Sequence, residues 1–216
     1  HLRQLDYSVA IISLYGYFEQ FIEELIAWFV RSVNNSASNY SDLPEKFRER
    51  HYQLGIQLLS SNLTGRHKKP TPDLLADLNS CYPGNSEFNL CEAAFTSHSS
   101  NFWRDTLKQT FSHLGIEDLE LRTLNTLSMK EYMNEYNPSA GKMSRFPTEI
   151  FNIVDDLAQR RNEVAHGNIQ DLVDLNNIQH DWIPFFSFFG TALHDVLISH
   201  FTDFLISLNG HFCGKP

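Results

Sequence analysis

Only three cysteines occur in 216 residues, Cys81, Cys91 and Cys213, and no two form a CxxC pair. An odd, widely spaced set gives neither a disulfide framework nor a zinc knuckle, so reduced structural thiols are expected. A Cys81–Cys91 pairing stays open. Basic residues are also scarce. The 17 Lys and Arg face 26 Asp and Glu, for a net charge of −9. That balance argues against a broad basic groove that tracks nucleic acid by charge alone, and leaves room for a small local cationic site. There is no glycine-rich phosphate loop, no serine elbow and no Cys–His signature. No alternating run marks a strand, and there is no internal repeat, low-complexity tract or charge block. No basic stretch followed by an apolar core opens the chain, so no signal peptide is visible and a cytoplasmic location is expected. The chain opens on His1 rather than Met, as a processed or truncated piece of something longer would.

What is present is helical periodicity. Hydrophobic residues make up 42% and charged residues 20%, an ordinary balance for one well-buried globular domain over 1–216. Residues 5–33 read as one long helix through Leu5, Val9, Ile12, Tyr15, Phe18 or Glu19, Ile22, Leu25, Ile26 and Phe29. Residues 45–63 form a second. Residues 64–100, broken by Gly65, Pro70, Pro72, Pro83 and Gly84, read as an irregular connection or insertion, with a short helix over 72–78. Helices follow over 101–114, 129–136 and 147–166. A long final helix covers 178–208, with Pro184 in its first turns. The last helix is apolar enough to suggest a membrane span, but His194, Asp195, His200 and Asp203 are costly in a bilayer, so a buried helix is expected and no membrane partner. The sum is an all-α bundle of about five main helices.

Chemistry concentrates in Arg161-Asn162-Glu163-Val164-Ala165-His166-Gly167. Arginine grips phosphate through two N–H groups, and histidine moves a proton near neutral pH. On a regular helix residues four apart lie about 40° apart around the axis, and residues five apart about 140°. Asn162 and His166 therefore share a face, and Arg161 does not. Gly167 is a natural left-handed residue just past a helix end, which puts His166 on the last turn or the cap. On spacing alone, Arg160, Arg161 and His166 serve equally well as cations that complement a helix C-terminus.

The pattern Arg161-Asn162 with His166 and Gly167 resembles the Arg-x(4–6)-His signature of the HEPN superfamily, in which a polar residue often follows the arginine. The stretch Tyr17-Phe18-Glu19-Gln20-Phe21-Ile22-Glu23-Glu24-Leu25 resembles the opening helix of its MAE-like branch. Asn101-Phe102 through Gly115-Ile116, then the motif, then Asp171-Leu172-Val173 before a long helix follow that branch's order. The resemblance implies a homodimeric, metal-independent endoribonuclease, often a toxin or an effector of antiviral defence. It needs no cofactor and no metal, and its two motifs face each other in one composite cleft. His166 would transfer protons, Arg161 would hold the scissile phosphate, and Asn162 would position either His166 or the RNA backbone. The partners implied are an RNA substrate, a second copy and an antitoxin or defence protein. The alternative is a noncatalytic HEPN scaffold that dimerises and binds nucleotide, RNA or a partner. The acidic charge leans slightly toward the scaffold, and the intact motif toward the enzyme.

Weaker candidates surround the motif. Glu19 or Glu23, if turned inward, would pair with Arg161 and orient it, while solvated charges on the helix surface are the simpler reading, and Arg160 is a further supporting cation. His194 and His200 are six apart, which is not a chelating helical spacing. Arg66-His67-Lys68-Lys69 is the one basic cluster, a solvated loop or a phosphate contact. Some HEPN toxins carry a modifiable tyrosine two residues after the histidine. Asn168 stands there, so regulation by that route is not expected.

Overall fold

The computed structural model describes residues 2–60, 71–97, 101–136, 148–169 and 174–212. Every regular element among them is helical, so the expected all-α class is the one adopted. The helices are α1 Leu2–Ser36, α2 Glu45–Ser60, α3 Thr71–Ser80, α4 Glu92–Thr96, α5 Arg104–His113, α6 Leu119–Leu124, α7 Leu127–Tyr136, α8 Asn152–Ala165, α9 Leu175–Asn177 and α10 Ile183–Phe212. Within the stretch expected to be mostly irregular, α3 is the short helix expected over 72–78, and α4 is a second helix that was not expected. Arg66-His67-Lys68-Lys69, Asp171-Leu172-Val173 and Cys213 lie outside the described residues.

Two compact units share the chain. One comprises His1–Ile22, Ser100–Lys108 and Asp118–Val196, and the other Glu23–Ser99, Gln109–Glu117 and Leu197–Pro216.

In the first unit α1 buries Tyr7, Ile11, Tyr15, Phe18 and Ile22, at steps of four, four, three and four. Leu5 and Val9, expected in the core, are 60% and 57% exposed, and Ile12 is exposed as well. Both stripes have helical spacing and merge at Tyr15, so periodicity alone does not choose between them. From α10, Phe185, Phe186 and Phe189 meet Phe18 and Phe151. Ring centroids lie 4.9 Å apart for Phe18–Phe186 and 5.3 Å for Phe151–Phe189. Such tilted aromatic contacts add to the area buried.

The final helix does not start regularly. Ile178–Trp182 is a π turn, in which the Ile183 N–H donates to the Ile178 carbonyl five residues back. Pro184 follows, and its ring would clash with the carbonyl four residues before it in a regular helix; the widened turn relieves that clash. By length and composition Leu175–Leu208 could cross a membrane, and 50% of its most apolar window is buried within the fold.

The second unit centres on a buried histidine. His51 on α2 is fully enclosed, and its Nε2 accepts the Cys91 N–H at 3.0 Å, which fixes the start of α4. Cys81 and Cys91 are buried free thiols. Burial lowers the His51 pKa from 6.5 to about 4, with the Asp77 charge partly opposing the shift. A lowered histidine pKa means the unfolded chain binds the proton more readily, so this group favours folding above pH 6.5 and loses that contribution as pH falls toward 4. Its share is about 3 kcal/mol across that window, at about 1.4 kcal/mol per pKa unit. Denaturant titrations at several pH values check this. The acid-induced loss between pH 6.5 and 4 should be smaller in His51→Gln than in the parent, and parallel profiles would refute it.

Candidate active site

The heptapeptide closes α8 as its glycine requires. His166 is the C-cap at φ −94°, and Gly167 lies at φ +68°, in the left-handed region. The Asn168 N–H reaches back to the Glu163 carbonyl (2.9 Å) and the Gly167 N–H to Val164 (3.2 Å). This paired bonding is the Schellman closure that ends many helices. It leaves the His166 ring exposed at the helix end, with no hydrogen bond to any described residue.

One face of α8 is stitched to the segment that opens α5. Asn152, Asp155 and Asn162 fall on one stripe. Asp155 accepts the Arg104 backbone N–H at 2.7 Å, and Asn152 accepts from the Arg104 guanidinium at 2.8 Å. Asn162 Oδ1 accepts from Asn101 Nδ2 at 2.6 Å. Phe102, wholly buried, anchors this segment, and its N–H donates to the Tyr15 hydroxyl at 2.9 Å.

Arg161 turns to a different face, where Tyr15 of α1 meets it. Its guanidinium carbon lies 5.6 Å from the Tyr15 ring centroid, and its Nη1 donates to Asn162 Oδ1 at 3.3 Å. The Tyr15 hydroxyl donates in turn to Glu19 at 3.4 Å. Burial holds the Tyr15 phenol protonated well above its ordinary range. Glu19 therefore reaches the arginine through the tyrosine rather than pairing with it directly. Glu23 is buried one turn further along α1.

The neighbouring arginines are spent on carboxylates. Arg104 grips both oxygens of Glu120, one of them at 2.8 Å. Arg160 lies 3.6 Å from Glu163, whose other oxygen accepts from Gln159 at 3.0 Å. Arg160 also stands beside the buried Tyr7 hydroxyl, whose pKa burial raises and the arginine's charge offsets. Arg161 alone of these three has no carboxylate partner among the described residues. A half-buried guanidinium held by a ring face and an amide oxygen keeps its charge and most of its N–H groups for an anion.

The RiboL-PSP-HEPN family model matches residues 3–199, a span that takes in the heptapeptide and the helices framing it. The chain belongs to the RiboL-PSP-HEPN family. No curated protein and no solved structure matches it. Membership confirms the HEPN superfamily reading, and HEPN domains are often ribonucleases.

Within this RiboL-PSP-HEPN chain the remaining histidine candidates have partners of their own. His194 Nδ1 is 3.7 Å from Asp195 on the exposed side of α10. In the second unit His200 bonds the Leu114 carbonyl at 3.0 Å and stacks on Phe29. Tyr15 and Asn101 contact the candidate residues Arg161 and Asn162, contacts that spacing did not reveal. Asn101-Phe102 stood in the family-like order without a role, and only the fold shows the amide contact.

Proposed function

We propose that this RiboL-PSP-HEPN chain is a metal-independent endoribonuclease that works as a homodimer, with two copies of the motif completing one cleft. The observation that carries this reading is Arg161, a guanidinium steadied by Tyr15 and Asn162, with no carboxylate partner among the described residues. The ribose 2′-OH attacks the adjacent phosphorus, so the nucleophile comes with the substrate. His166 accepts the 2′-OH proton or delivers one to the departing 5′ oxygen. Arg161 donates to the phosphorane oxygens as their charge grows. The bond from phosphorus to the 5′ oxygen breaks, leaving a 2′,3′-cyclic phosphate and a 5′-OH. A toxin–antitoxin or antiviral role follows from the superfamily resemblance, as does the closer likeness to the MAE-like branch. Both rest on sequence pattern alone.

The test is incubation of the purified chain with RNA in EDTA, with end-group analysis of the products. Cleavage that persists in EDTA and yields cyclic phosphate ends supports the reading. Cleavage that requires Mg²⁺ and leaves 3′-OH ends would sink it. An absence of cleavage by a folded dimer would favour the scaffold.

A further inference from the structure

The amide of Asn162 has its oxygen turned inward. Two donors converge on Oδ1, Asn101 Nδ2 at 2.6 Å and Arg161 Nη1 at 3.3 Å, while Nδ2 bonds no described residue. Flipping the amide would bring NH₂ against two donors, so the orientation follows from the chemistry of its neighbours. The shorter bond, the one to Asn101, is the more secure of the two. When Arg161 swings onto an anion, its own long bond is the first to break.

We propose that Asn101 is a positioning residue that locks the Asn162 amide and so makes the Arg161–Asn162 pair a donor-only cradle. Arg161 offers its free N–H groups and Asn162 its NH₂. The ligand class that fits is a group bearing acceptors only, namely the ionised phosphate of a ribonucleotide. This deepens the ribonuclease reading and rests on it for the catalytic consequence, while the phosphate preference is measurable by binding alone. Asn101 touches no substrate in this scheme. Its influence passes through Asn162, 61 residues along the chain.

The test uses the full chain and a nucleoside 3′-monophosphate as probe, with the Asn162 side-chain NH₂ followed by NMR. Titration should move those resonances in the parent. Asn101→Ala, which removes the donor, should weaken binding about tenfold, the scale of one lost hydrogen bond to a charged network. Asn101→Asp, isosteric and able only to accept, should weaken it further by pulling NH₂ inward and placing a charge beside Arg161. Affinities of both variants within twofold of the parent, or unmoved Asn162 resonances, would overturn the proposal. RNA cleavage assayed in parallel separates the two ideas. A parent that binds with the expected pattern but does not cut RNA leaves the cradle standing and removes the ribonuclease. A parent that cuts RNA, with Asn101→Ala unchanged in both kcat and KM, removes the cradle and leaves the enzyme.

Discussion

His166→Ala is expected to slow RNA cleavage about 10²–10⁴-fold, the usual worth of a positioned proton-transfer group. The exposure of its ring at the C-cap of α8, with no side-chain hydrogen bond to a described residue, makes the fold indifferent to its loss. The melting temperature should therefore stay within a few degrees of the parent while kcat collapses. Arg161→Ala should cost about 10²–10³-fold, because it removes a donor aimed at charge that develops in the transition state. Arg161→Lys should not restore the rate, since an ammonium lacks the fork that stacks on Tyr15 while bonding Asn162. Single-turnover cleavage of a short RNA, beside the same oligonucleotide with a 2′-deoxy residue at the scissile step, checks both. Activity surviving both alanine variants, or equal cutting of the deoxy substrate, would place the chemistry elsewhere.

The fold was legible where one periodicity dominated. Phe185, Phe189, Leu193 and Val196 repeat at three or four with little competition, and all are buried. At the start of α1 two apolar stripes compete, and the one through Tyr7 and Ile11 wins. That choice depends on partners such as Arg160, more than 150 residues away in sequence. Short helices were harder still. Helix α4 has five residues, too few to announce themselves by period, and its first turn is held by the Cys91–His51 bond and the Arg31–Glu92 pair at 2.9 Å. Helix α6 follows Asp118 in a left-handed conformation at φ 53°, a start that no sequence rule anticipates.

The same division runs through the candidate site. Gly167 after His166 announces a helix end, and the Schellman closure appears there. The roles of Arg160 and Arg161 look alike in sequence, yet a rotation of about 100° separates them on the helix. One lies against Glu163, and the other rests on Tyr15. Sequence could not separate the spent cation from the available one, because Arg161 rests on a ring from α1, and the Asn162 amide it bonds is held by the segment before α5.

Mixing two inactive variants should recover cleavage if the site is composite. Arg161→Ala chains keep His166, and His166→Ala chains keep Arg161. A cleft formed within one chain stays incomplete in every mixture. A cleft shared across a two-fold axis regains one arginine and one histidine in each mixed dimer, and random exchange of equal amounts puts about half of all dimers in that state. Recovery on the order of tenfold above either variant alone is expected, short of the parent because one arginine and one histidine remain missing. Differently tagged chains, co-purified so that the mixed dimer is isolated before assay, remove any ambiguity about exchange. A verified mixed dimer with no recovered activity would return the chemistry to a single chain. The five-residue offset of Arg161 and His166 on α8 would then have to be bridged by the capped helix end itself.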